Sequence, residues 1–193
     1  RPSDIKKAAK DVVDSAFVSA GQRLYSTSKV IVTADSQQKF ADALLEYVKT
    51  INVGDPAEEV AAGPLVSEEK LKEFSALMES VRGRVLFGGK QIKNESTSNG
   101  CYVVPAVIAG SDDDQSYFDS GLPVLSMTIV ADFDGAMEEL SNTESGLSAG
   151  IFSKDRAAVH RFREEATAPF LFYNESNLSL KPAAYATRKT FVK

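Results

Sequence analysis

Apolar positions along the chain fall into two alternating patterns. In five stretches they recur every three or four residues, the period of a helix with one buried face. "SDIKKAAKDVVDSAF" opens on a Ser/Asp cap and aligns Ile5, Ala9, Val12, Val13 and Ala16. "DSQQKFADALLEYVKTI" aligns Phe40, Leu44, Val48 and Ile51, and stops before "VGDP". "SEEKLKEFSALMESV" starts with a capping serine and two glutamates that suit the helix dipole, and its apolar face is Leu71, Phe74, Met78 and Val81. "DGAMEELSN" and "KDRAAVHRFREEA" complete the helical set. Between them lie short apolar runs that predict buried strands: "SKVIVT", "GRVLFGGK", "PVLSMTIVADF", "GLSAGIFS" and "PFLFYN". "CYVVPAVIAG" is also extended, and Pro105, which cannot donate to a ladder, predicts an edge or a bulge there. Strands separated by helices imply an α/β fold of three layers, a mostly parallel sheet with helices on both faces.

Length and composition narrow the class. The chain's 193 residues suit one larger domain or one module of a longer protein, and a hydrophobic fraction of 43% supports a real core. Lys+Arg 22 against Asp+Glu 27 gives a net charge of -5. That mixed, mildly acidic surface argues against nucleic acid or an anionic membrane as the main partner. No window approaches eighteen apolar residues, so no membrane-spanning helix is expected. The single cysteine, Cys101, permits no internal disulfide, and the polar start "RPSDIKKAAKD" has no signal-peptide core. Together these predict a cytoplasmic protein. There is no internal repeat and no low-complexity stretch, and "LKPAAYATRKTFVK" has no clear period.

The residues that could do chemistry are few. Covalent catalysis needs a nucleophile, a base and an orienting group. The only histidine, His160, sits among charges on a helical stretch and reads as a surface residue. Cys101 opens an apolar segment with no adjacent basic residue to lower its pKa. No Cys/His spacing fits zinc, and "GSDDDQSYFDSG" lacks the calcium-loop pattern. Neither a phosphate-binding loop nor a dinucleotide fingerprint occurs. The glycines Gly21, Gly54, Gly63, Gly89 and Gly146 read as turn residues where a side chain would clash. Pro56, Pro64 and Pro123 read as fixing loop geometry.

Six segments in order nevertheless resemble the catalytic domain of the aldehyde dehydrogenase superfamily. They are "AFVSAGQRLYSTSKVIV", "INVGDPAEEVAAGPLVS", "VLFGGK", "GCYVVPAVI", "GLPVLSMTIVADFDGAMEELSNTESGLSAGIFSKD" and "FLFYNES". "GDPAE" and "LFYN" lean toward the pyrroline-carboxylate and semialdehyde dehydrogenase branches. The resemblance implies residues 1–177 as a catalytic-domain-like unit without the NAD-binding domain, and 178–193 as a C-terminal tail. In the family a cysteine follows the Gly-Gln turn and attacks the aldehyde as a thiolate. Here that position is Leu24, so the resemblance implies no catalytic residue, because no tuning gives an alkyl side chain a lone pair. The neighbouring hydroxyls of Tyr25 and Ser26 have no visible base.

Further positions depart from the family pattern. Where the family has Glu-x-Phe-Gly-Pro, with the glutamate on the cofactor ribose, this chain offers Asp119, Gly121, Leu122 and Pro123. The tyrosine that often precedes Gly-Leu is Ser145. The resemblance implies NAD(P) as cofactor, with none bound by this chain alone, and a substrate pocket around Gln22, Leu24, Phe172 and Asn174. Three functions are compatible with it. The first is an inactive domain acting as a non-catalytic subunit, in a homo- or hetero-oligomer or with a chain that carries the cofactor domain. The second is an NAD(P)-dependent aldehyde or semialdehyde oxidoreductase completed by another chain. The third is a small-carbonyl binding module.

Overall fold

A computed structural model describes residues 4–81, 84–93, 100–110, 120–143 and 146–179. It holds five helices and six strands. α1 (Ile5–Phe17) leads through a 3-10 turn (Val18–Gly21) to β1 (Lys29–Thr33). α2 (Gln37–Val48), α3 (Glu68–Ser80), β2 (Val85–Phe87), β3 (Ala106–Ala109) and β4 (Val124–Val130) follow. The chain continues through α4 (Phe133–Ser141), β5 (Ser148–Ile151), α5 (Arg156–Glu165) and β6 (Phe170–Tyr173) to a last 3-10 turn, Asn177–Ser179.

Local chemistry sets the helix starts. Asp4, Ser67, Asp132 and Asp155 each accept a backbone N–H of the first turn, of Lys7, Lys70, Gly135 and Ala157 respectively, satisfying donors that the helix cannot pair internally. The apolar stripes then bury as their spacing predicts. Ala9, Val12, Val13 and Ala16 of α1 and Phe40, Leu44 and Val48 of α2 form one core cluster with Val32, Val107, Leu125 and Met127. Phe74 and Met78 of α3 form a second with Ala106, Ile108 and Val124. The alternation along β3 and β4 therefore faces α1 and α2 on one side and α3 on the other, which gives the three expected layers.

The sheet is divided. Four strands run in the order β1-β4-β3-β2, with β1, β4 and β3 parallel and β2 antiparallel. β5 and β6 form a separate parallel pair. Of the two places expected for Pro105 the bulge fits and the edge does not: β3 is an interior strand, and the β2–β3 register shifts between Val85 and Phe87 beside its start. The proline stands just before Ala106, where no ladder N–H is required of it, and its carbonyl lies against Gly88. Gly146 also differs from expectation, since a Cβ there would meet nothing within 4 Å. The segments 111–119 and 180–193, with Asp119, and Ser145 lie outside the described residues. No helix among the described residues is long and apolar enough to cross a membrane.

Candidate functional site: the Gly-Gln loop and the cleft beside it

Between the end of α1 and β1 the backbone turns through three successive left-handed residues, Ser19 (φ 59), Ala20 (φ 54) and Gly21 (φ 70). Non-glycine residues enter this region at a cost of order 1 kcal/mol each, so the surroundings must hold them there. Ala20 is buried, and the Ser19 N–H donates to the Ala61 carbonyl at 3.1 Å. Gly21 is required: a Cβ on it would stand 2.7 Å from the Leu122 carbonyl oxygen.

Gln22 then bolts the turn to the segment 64–66. Its Nε2 donates to the Pro64 carbonyl at 3.2 Å, and its Oε1 accepts the Val66 N–H at 2.8 Å. The turn thus presents Leu24 outward at 75% exposure; Val66, whose N–H Gln22 holds, is also exposed, at 78%. Arg23 folds back on Tyr25, its Nη2 donating to the phenol oxygen at 2.8 Å and its guanidinium 4.7 Å from the ring centroid. The Ser26 hydroxyl is buried without a hydrogen-bond partner among the described residues.

Beyond this loop lies a cleft of about 1080 Å³, bounded by β1 on one side and β5 on the other. Leu24, Gln22 and Phe172 line it. Asn174 does not. At φ 56 it closes the end of β6, with Oδ1 accepting the Ser153 N–H at 2.9 Å and Nδ2 donating to the Ser153 carbonyl at 3.1 Å. Its amide is spent on the scaffold and faces no ligand space. Gln22 lines the cleft, yet its polar atoms are likewise spent on backbone.

The residue that sequence reasoning missed is Asn177. It is 8% exposed and receives the Ser15 hydroxyl on Oδ1 at 2.5 Å. Its Nδ2 donates to the Tyr25 carbonyl at 2.5 Å and reaches Thr27 Oγ1 and Ser148 Oγ at 3.5 and 3.4 Å. Ser15 also bonds Thr27 at 2.5 Å. One buried amide therefore ties α1, the Gly-Gln loop and the start of β5 together. Nothing in "ESNLSL" marks it, because its partners lie more than 20 positions away in sequence.

Neither remaining candidate joins the site chemically. His160 is exposed on α5, 4.0 Å from Glu164, and Cys101 is partly buried against the second core cluster. Among the described residues no group of three His, Cys, Asp or Glu could hold a metal ion. Asp119, the carboxylate that the resemblance places on the cofactor ribose, lies outside the described residues.

Comparison with known proteins agrees with this geometry. The model of the aldehyde dehydrogenase family matches residues 2–186. The 1-pyrroline-5-carboxylate dehydrogenase of Geobacillus sp. (strain WCH70) is 30% identical over 179 residues, covering 90% of this chain and 34% of its own length. The alpha-ketoglutaric semialdehyde dehydrogenase of Bacillus subtilis (strain 168) is 28% identical over 185 residues, covering 93% of this chain and 38% of its own. A structure of 1-pyrroline-5-carboxylate dehydrogenase from Thermus with bound NAD superposes with a TM-score of 0.81 at 28% identity, over 91% of this chain and 34% of that one. The chain thus spans about a third of the length of the relatives it matches. On fold, segment order and family match together, the chain belongs to the aldehyde dehydrogenase family.

Proposed function

We propose that this domain is catalytically inactive and serves as a non-catalytic member of an assembly. In this reading the exposed Gly-Gln loop meets a surface supplied from outside these 193 residues, and that surface carries the NAD(P) site. The observation that carries the reading is Leu24. It occupies the position at which the resemblance implies the attacking thiolate, it is 75% exposed, and the loop that presents it is strained and bolted in place by Gln22. A loop built to this specification and tipped with leucine offers burial in place of bond formation. Covering a leucine side chain is worth about 1.5–3 kcal/mol.

The test uses the protein in its native assembly. Leu24→Asp puts a charge into the contact and should weaken association at least ~10-fold, the equivalent of one lost apolar anchor. Unchanged association would remove the proposal. Leu24→Cys addresses the enzyme alternative directly. Acid production from a semialdehyde by that variant, with none from the parent, would show a site intact but for its nucleophile.

A second reading rests on the cleft. Leu24 and Phe172 line one space of about 1080 Å³, which suits a small carbonyl compound held by apolar contact. Thermal-shift measurements with a panel of aldehydes decide it: a rise in Tm that saturates with concentration supports the binding module, and a flat response dismisses it.

A further inference from the structure

We propose that the outer edge of β2 is a docking site for an extended segment of another protein, apolar at its centre and acidic at its ends, which adds to the sheet as a further strand. This goes beyond the proposed function. β2 and β1 stand at opposite ends of the order β1-β4-β3-β2, so the inference holds whether or not Leu24 meets a partner.

The first ground is the edge itself. β2 ends the four-stranded sheet, and among the described residues no strand lies beyond it. A groove of about 380 Å³ runs beside it, lined by Val85, Leu86, Phe87, Gly88, Lys90 and Val104. Val85 and Phe87 pack on the two core clusters, while Leu86 between them is 44% exposed. Gly88 can carry no side chain here, since its φ is 67 and a Cβ would stand 1.8 Å from the Pro105 carbonyl oxygen. The residues that follow spend their backbone inward. The Gly89 N–H donates to the Val104 carbonyl at 3.1 Å, and the Lys90 carbonyl accepts the Val104 N–H at 2.7 Å. The far side of a terminal strand is a template that an extended segment can read.

The second ground is charge. Between Glu79 and Glu95 the sequence has Arg82, Arg84, Lys90 and Lys93 and no acidic residue, in a chain whose net charge is -5. Among the described residues the ion pairs lie on α1, on α3, between β1 and α4, between α4 and α5, and on α5; none involves Arg84, Lys90 or Lys93. Lys90 and Lys93 are exposed. Arg84 adds an independent observation. It stands immediately before β2, and its Nη1 is buried with no hydrogen-bond partner among the described residues. A guanidinium N–H shut from water without an acceptor is costly, and a carboxylate removes that cost through a charge-assisted bond. The residue as a whole is only half-buried, which leaves the group within reach of an acceptor arriving beside β2.

Charge also selects the occupant. A second copy pairing edge to edge through β2 would set one basic segment against the other, and like charges across a strand pair oppose pairing. A nucleic acid would meet the cations but also the acidic remainder of the chain, and would leave the apolar groove unused. An acidic-apolar strand answers all three features: backbone bonds to the edge, apolar contact with Leu86, and carboxylates for Arg84 and Lys90. Lysine on an edge turns away unselected strands, so the same residues set specificity.

The experiment titrates the full chain with labelled heptapeptides read by fluorescence anisotropy and by amide NMR shifts. The probe is Asp-Glu-Val-Val-Val-Glu-Asp; its controls are Lys-Lys-Val-Val-Val-Lys-Lys and a heptanucleotide of thymidine. The acidic peptide should bind saturably, at least ~10-fold tighter than the basic one, and shift the amides of Leu86, Phe87 and Lys90. Lys90→Glu and Arg84→Met should each weaken it at least ~10-fold. The Tm of free Arg84→Met should hold or rise, since an unpaired buried donor has been removed. A fall of more than about 4 °C would show a guanidinium packed for structure and overturn its role as donor. Equal binding of the two peptides, tighter binding of the oligonucleotide, shifts confined to other elements, or a dimer of the chain alone that occupies the β2 edge would each overturn the proposal.

Discussion

Removing the Asn177 amide tests whether the Gly-Gln loop is held from behind by one buried group. Asn177→Ala forfeits two bonds of 2.5 Å, from the Ser15 hydroxyl and to the Tyr25 carbonyl, together with the longer contacts to Thr27 and Ser148. Each buried hydrogen bond contributes about 0.5–1.5 kcal/mol net, and depriving a buried carbonyl of its donor adds about 1–3 kcal/mol. Ser15 keeps Thr27 as a partner, which limits the loss on that side. The expected destabilisation is about 2–4 kcal/mol, against a total stability of roughly 5–15 kcal/mol for a domain. For a chain of this size that lowers Tm by about 4–16 °C. Urea unfolding followed by far-UV circular dichroism reads the change as a lower midpoint with unchanged m. Asn177→Asp should be at least as harmful, since it keeps an acceptor for Ser15 but turns a carboxylate oxygen toward the Tyr25 carbonyl. A loss below about 0.5 kcal/mol, the scale of an ordinary surface change, would refute the view that this amide ties the loop to α1 and β5.

Further expectations follow from single positions. Gly21→Ala should cost about 2 kcal/mol or more, because φ is 70 and the new methyl would stand 2.7 Å from the Leu122 carbonyl oxygen; a melt within 2 °C of the parent would contradict it. Leu24→Ala should leave stability within about 0.5 kcal/mol, since the side chain touches little of its own domain, and a large loss would mean that the leucine is packed. Glu69, in the first turn of α3, has its carboxyl held below the usual range by its own backbone N–H and by the Ser67 hydroxyl. Its small contribution to stability is therefore present above the ordinary glutamate pKa and lost as pH falls through the lowered value. An NMR titration should show that low midpoint and its rise in Ser67→Ala, and an unmoved midpoint would remove Ser67 as a cause.

Periodicity carried most of the fold. The helices α1, α2 and α3 lie where the stripes of apolar residues place them, because those stripes bury on the sheet and little competes with them. Pro105 signalled the irregular β2–β3 register but not an edge, because it forbids a ladder N–H only at its own position, and the strand starts one residue later. The site was legible where it depends on backbone geometry and illegible where it depends on distant partners. The Gly-Gln turn announces itself, since only glycine fits against the Leu122 carbonyl. Asn174 and Asn177 look alike in sequence, yet one closes a strand end and the other joins three elements. The division of the sheet between β1 and β5 has no sequence mark either, since a strand with one paired edge and one with two carry the same β-branched run.

Aldehyde-dependent formation of NAD(P)H by the protein in its native assembly is the decisive measurement, taken over a panel that includes glutamate semialdehyde. Folding and the assembled fraction are confirmed in the same sample, and Leu24→Ala is run beside the parent. A non-catalytic domain contributes no turnover, so the rate per assembled complex should be the same in Leu24→Ala even where less of it assembles. Turnover that tracks this loop, lost when Leu24, Tyr25 or Ser26 is changed in a folded and assembled protein, would contradict the inactive reading and return the site to catalysis.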